Sequence, residues 1–208
     1  NAADVIAEIK QTLEQLKKSF PPGMDYEIAY DVSKFVDASV EKVLHTLLEA
    51  FILVSLVVYL FLGDLRSTLI PTLAVPVSLI GTFFVLQLLG FSINLITLFA
   101  MVLAIGVVVD NAIVVVEAVH AKMAETHKSP YRASLEVLHE ISGAIIAITL
   151  VMSAVYVPVT FVPGPVGVFY RQFGVTMASA TVLSGVVALT LTPVLCASLL
   201  KPVARGHE

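Results

Sequence analysis

Five long apolar stretches dominate the chain, at about residues 39–62, 68–89, 95–119, 141–162 and 173–200. Each is close to, or above, the ~20 residues of helix that cross the hydrocarbon of a bilayer. The pattern predicts five transmembrane helices joined by polar connections. The longest connection, 117–140, is itself expected to be partly helical. Gly63 to Ser67 reads as a tight polar turn, Ser92 or Asn94 is placed to cap the third helix, and Pro163-Gly164-Pro165 separates the fourth from the fifth. Pro71 and Pro76 fall inside the second stretch and Pro193 near the end of the fifth, so both helices are expected to bend and to pack against neighbours that satisfy the freed carbonyls.

Ahead of these stretches the period changes. Val5, Ile6, Ile9, Leu13, Leu16 and Phe20 recur at helical spacing, with Glu8, Lys10, Glu14 and Lys17 on other faces. Pro21-Pro22-Gly23 stops that helix. Met24, Tyr26, Ile28 and Tyr30 then alternate with Asp25, Glu27 and Asp31, the pattern of a strand with one buried face. One helix and one strand cannot close a core in ~31 residues. Residues 1–33 are therefore expected to be the end of an α/β domain, and 34–208 a bundle of five helices. The expected fold class is an all-α polytopic membrane protein preceded by a short α/β fragment. The chain opens on Asn1 without an initiator Met, and its amphipathic, partly acidic start does not fit a signal peptide; the expectation is a piece of a longer protein.

Composition agrees with the membrane class: 58% of residues are hydrophobic and 13% charged, against about a quarter charged in soluble domains. If the helices alternate, Arg66, Lys122, Lys128, Arg132, Lys201 and Arg205 fall on one side, and the short loops on the other side offer only Arg171. The cation-rich side is expected to be cytoplasmic, which puts the N-terminal segment outside and the C-terminus inside. The net charge is −4 and no basic cluster suggests nucleic acid. Cys196 stands alone in an apolar run and is expected to be a small buried hydrophobe. His45, His120, His127, His139 and His207 are scattered without metal-ligand spacing. No phosphate loop or nucleophile elbow occurs, so no metal, cofactor or soluble enzyme chemistry is expected.

Asp110 is the residue with chemical content. Between Leu95 and Val116 the only other polar side chains are Thr97 and Asn111. An ionised carboxylate in hydrocarbon costs several kcal/mol. Such a group must face the bundle interior, meet a cation or take up a proton. Desolvation favours the neutral form and a nearby cation the charged form, so a carboxyl balanced between them can carry protons. Gly106, four residues earlier, and Glu117, seven later, project roughly the same way as Asp110. Gly106 would admit another helix closely, and Glu117 would mark a proton exit at the cytoplasmic end. Asn111 points about 100° away and either serves this site or ties two helices together. Ser179, Ala180, Ser184, Gly185 and Ala188 supply a small-residue face for close packing on the fifth helix. Besides a proton-coupled transporter, a lipid- or sterol-sensing receptor remains open. An intramembrane aspartyl protease is weaker, because it needs two membrane carboxylates.

The stretch YLFLGDLRSTLIPTLAVPVSLIGTF (59–83), the stretch GFSINLITLFAMVLAIGVVVDNAIVVVEAV (90–119) and LTPVLCASLLKP (191–202) resemble the resistance-nodulation-division (RND) transporters. Within that family the chain is most similar to the hydrophobe/amphiphile exporters of Gram-negative bacteria. The resemblance runs over essentially the whole chain. It implies a secondary active transporter rather than an enzyme: proton antiport across the bacterial inner membrane that expels amphiphilic small molecules, a homotrimer, a periplasmic adaptor and an outer-membrane channel. It makes the five helices the second to sixth of twelve and the N-terminal piece the end of a periplasmic porter subdomain. A heavy-metal exporter ranks low, since no methionine pairs or ligand clusters line the helices. The family places an acidic pair on its fourth helix. Asp110 falls on the first position of that pair, and Asn111 departs from the second.

Overall fold

The computed structural model describes residues 2–202; Asn1, Arg205 and His207, which entered the sequence argument, lie outside the described residues. Helix α1 spans Ala2–Lys17, α2 Val32–Leu62, α3 Leu65–Leu88, α4 Leu95–Thr126 and α5 Pro130–Tyr156. A 3-10 turn, Pro158–Phe161, leads to α6, Pro165–Leu189, and α7, Leu191–Leu199. By length and apolar composition five spans can cross a membrane: Val32–Leu62, Leu65–Leu88, Leu95–Thr126, Pro130–Phe161 and Pro165–Leu199.

The expected strand is not formed. Among the described residues there is no strand, and Met24, Ile28 and Tyr30 are exposed on irregular backbone. A strand needs a neighbouring edge to pair its N–H and C=O groups, and the described residues offer none. What stands before the bundle is one helix and an extended link. Helix α1 packs on α2 alone. Lys10 Nζ reaches Asp31 Oδ2 at 2.5 Å and Ser33 Oγ at 3.0 Å, while Asp31 Oδ1 accepts from the Ser33 amide at 2.9 Å and caps α2.

Polar side chains open α2, α3 and α4. Gly63 closes α2 in the left-handed region, at φ 65°, and Asp64 opens α3 by accepting from the Ser67 amide at 3.1 Å. Partial burial works against the Asp64 charge. Hydrogen bonds from the Ser67 side chain and the Ser67 and Arg66 amides outweigh it and hold the carboxyl below its ordinary range, with help from His120. Asn94 opens α4 with a capping box, accepting from the Ile96 and Thr97 amides while its own amide donates to Thr97 Oγ1 at 2.8 Å. The polar stretch 117–140 is helical except at 127–129. It consists of the C-terminal end of α4 and the N-terminal end of α5, held by Lys122–Glu140 at 2.6 Å and Lys128–Glu136 at 2.5 Å.

Helix α3 runs unbroken through Pro71 and Pro76, whereas the fifth span breaks at Thr190 between α6 and α7. In a continuous helix the Pro193 ring would collide with the Leu189 carbonyl, so the chain turns just after it. Helix α4 is the hub and packs against α2, α3, α5, α6 and α7. Its first half joins a core cluster with Ala74, Val75, Leu79, Met177 and Ala180. Its second half joins another with Ile70, Val137, Ile145, Ala188 and Cys196. Close approach rests on particular glycines. A Cβ on Gly185 would collide with the Thr149 side chain of α5, and one on Gly167 with the Val162 carbonyl.

Two outcomes follow for stability. Gly185→Ala should displace Thr149 and destabilise the detergent-solubilised protein by about 1–3 kcal/mol, whereas Gly143→Ala, with open space at its Cβ, should leave the melting temperature unchanged or raised. Asp64→Ala should remove about 1 kcal/mol of capping. Because the folded Asp64 carboxyl titrates below its unfolded value, that contribution is complete above about pH 4 and fades as the pH falls further. Thermal melts of wild type and Asp64→Ala should therefore converge in acid.

Candidate functional site

The centre of α4 divides into two faces. Met101, Ala104, Ile105, Val108, Asn111, Ala112, Val115 and Val116 are buried against the other helices. Phe99, Leu103 and Val114 are about half exposed, and Gly106, Asp110 and Glu117 lie on the same uncovered side. The spacing 99, 103, 106, 110, 114, 117 is that of one helical stripe. The carboxylates of Asp110 and, two turns on, Glu117 are thus presented on an otherwise apolar strip, and no hydrogen bond or ion pair reaches Asp110 among the described residues. Nothing approaches Gly106 either: a Cβ there would have open space. The chain therefore brings Gly106, Asp110 and Glu117 to one face, but it does not itself supply the interior that the sequence reading assigned to them.

Asn111 is in different surroundings. It is 8% exposed, and its Nδ2 donates to Ser184 Oγ on α6 at 2.8 Å. The Ser184 hydroxyl in turn contacts the Val107 carbonyl of α4 at 3.4 Å. In this chain Asn111 ties α4 to α6. Ser184 was legible in the sequence only as one of several small packing residues; the structure makes it the partner of the central polar side chain of α4.

A second polar link, missed from the sequence, sits near the C-terminal end of α4. His120 Nε2 lies 2.7 Å from Ser67 Oγ, and Ser67 Oγ donates to Asp64 Oδ2 at 2.9 Å. The hydroxyl proton goes to Asp64, so the imidazole Nε2 is the donor in the first contact. The link fastens the α2–α3 turn to α4 one turn beyond Glu117. The available signal was a histidine and a serine at facing helix ends, which is too common a pairing to single out.

Two concavities flank α4. A crevice of about 190 Å³ between α2 and α4 is lined by Val57, Val58, Phe61, Leu62, Ile113 and Glu117. A larger groove of about 710 Å³ lies at the opposite end of the bundle. There Val36, Asp37, Val40 and Leu44 of α2 face Ile93, Phe169 and Gln172. Gln172 Oε1 accepts from Asn94 Nδ2 at 2.7 Å, which joins the start of α4 to α6. Among the described residues no cluster of three or more His, Cys, Asp or Glu side chains could hold a metal.

Comparison with known proteins places this arrangement. Residues 1–208 match the sequence profile described as the AcrB/AcrD/AcrF family. All 208 residues are similar to the multidrug export protein AcrF of Escherichia coli, at 51% identity, covering 20% of that protein. The toluene efflux pump membrane transporter TtgB of Pseudomonas putida is 49% identical over the same 208 residues, again 20% of its length. The multidrug resistance protein MdtF of Escherichia coli is 46% identical over 206 residues, 99% of the chain and 20% of the relative. The chain thus spans about a fifth of the length of these curated relatives. It belongs to the AcrB/AcrD/AcrF family of RND multidrug efflux transporters.

Proposed function

We propose that this chain is the segment of a proton-driven multidrug efflux transporter that carries the proton-binding carboxylate, Asp110. The observation behind the proposal is the Asp110 carboxylate at the middle of a membrane-spanning helix, on an uncovered face that is apolar around it and carries Glu117 two turns on. A bare charge there would be costly in lipid, so the rest of the transporter covers the stripe and offers Asp110 a cation. Gly106 lets the covering helix come close.

The cycle then has three parts. Charged Asp110 pairs with the cation. A proton entering from the periplasm neutralises Asp110 and breaks the pair. The helices shift, and the proton leaves toward the cytoplasm past Glu117. The driving force is adequate, at ~2.3 kcal/mol per charge per 100 mV plus the pH gradient. The shift reaches the periplasmic side through α2, whose start at Asp31 is fastened to α1 by Lys10. Residues 1–33 close a porter subdomain, in which the alternating segment 24–30 pairs as a strand with an edge supplied by the rest of that subdomain; 34–208 form the bundle. The N-terminal segment is periplasmic and the C-terminus cytoplasmic. The whole transporter works in the bacterial inner membrane as a homotrimer, with a periplasmic adaptor and an outer-membrane channel. Its substrates are amphiphilic small molecules; small-molecule cargo is supported by the names of relatives that export multiple drugs or toluene.

Asp110→Asn in the full transporter should reduce dye efflux to the background of cells without the pump, at equal protein level. Asn111→Asp should keep pumping. Wild-type efflux by Asp110→Asn would remove the site assignment and leave the fold intact.

A further inference from the structure

Helix α4 is apolar on both sides of its centre: Leu103 and Val114 on the uncovered face, Met101, Ile105 and Val108 on the buried one. In water such burial would fix the rotation of a helix about its axis. In a bilayer both faces find apolar surroundings, so burial specifies rotation only weakly and directional contacts decide it. Between Leu95 and Val116 three polar side chains are available. Thr97 is occupied in the N-terminal cap, and Asp110 lies on the uncovered face. At the ends of the helix Asn94 contacts Gln172 and His120 contacts Ser67; within the span Asn111 is the polar side chain that sets the rotation beside Asp110.

Its geometry suits that task. Asn111 Nδ2 donates to Ser184 Oγ at 2.8 Å, and the Ser184 hydroxyl contacts the Val107 carbonyl at 3.4 Å. The serine thus grips α4 at two points about one turn apart. Ser184 is itself held in place: the adjacent Gly185 packs so tightly on Thr149 of α5 that a Cβ would collide. With Asn111 turned to Ser184, Asp110 points about 100° away, onto the uncovered stripe.

We propose that Asn111 is a positioning residue for the proton step, fixing through Ser184 the rotation of α4 and hence the surroundings that Asp110 meets. The proposal rests on the reading of Asp110 as the proton carrier. An amide has no proton to lose in the working pH range, so the tie persists whether Asp110 is charged or neutral. This gives Asn111 a role of its own beside the carboxylate.

The test is the pH profile of drug transport by the full transporter in liposomes, for Ser184→Ala, Asn111→Ala and the double variant. Ser184→Ala removes a single oxygen and should accumulate normally. Each single variant should move the midpoint of the profile in the same direction, by about half a pH unit or more, because the charge balance at Asp110 changes. The double variant should move it no further, because both substitutions delete one bond. If Asn111→Ala does not accumulate, Asn111→Thr, which keeps a hydroxyl facing Ser184, should hold the midpoint near wild type while Ser184→Ala shifts it. Midpoints unchanged in the single variants, or shifts that add in the double, overturn the positioning role. Asp110→Asn in the same assay separates the two ideas. If it is inactive while the Ser184 and Asn111 variants keep the wild-type midpoint, only the positioning role falls. If it transports normally, the proton-carrier reading falls and the positioning role goes with it.

Discussion

Every backbone polar group that enters hydrocarbon must find its partner within the protein, and this constraint shapes the chain from end to end. It makes the spans helical. It places Asp64 and Asn94 at helix starts, where they accept otherwise orphaned amides, and Gly63 at a helix end. The hydroxyls of Thr72, Thr82, Thr176 and Thr181 turn back onto carbonyls of their own helices. The cost of a bare carboxylate in hydrocarbon makes Asp110 conspicuous. It is a carboxylate within a membrane span to which this chain gives no partner among the described residues.

Two neighbouring residues of α4 are placed in opposite ways. Asn111 is satisfied inside the bundle, by Ser184. Asp110, one residue earlier, lies on the uncovered face. In the proposed function, fixed and titratable roles are thereby separated by about 100° of helix. A second acid at position 111 would place a titrating group in the α4–α6 seam, next to the tight α5–α6 contact of Thr149 with Gly185. The Asp–Asn order therefore fits an arrangement in which α6 holds α4 still while one carboxylate exchanges its proton.

Much of this was readable in the sequence, because length and apolarity are strong signals. The apolar runs coincide with five spans long enough for a bilayer. Of the two caps the sequence offered, Ser92 and Asn94, the structure uses Asn94, and the bend expected near Pro193 is met as a break at Thr190, whereas Pro71 and Pro76 leave α3 continuous. What failed depended on atoms elsewhere. The alternation at 24–30 is a property of a sheet, and without a second edge it carries no strand. The uncovered face of Asp110 could not be inferred either, since periodicity gives the direction of a side chain relative to its own helix and not what lies opposite. Ser184 and the Ser67–His120 link were hidden because hydroxyls and single histidines are common at helix contacts. Only the three-dimensional pairing distinguishes these from their neighbours.

The central claim is that Asp110 binds and releases a proton during transport. The most direct measurement is the infrared absorption of the full transporter in a bilayer as the pH is varied, comparing wild type with Asp110→Asn. A protonated carboxyl buried in the membrane has its own C=O stretching band, distinct from those of the amides. The account predicts a band that appears on acidification, diminishes when an amphiphilic substrate drives turnover toward the deprotonated state, and is missing in Asp110→Asn. The same band persisting unchanged in Asp110→Asn would contradict it.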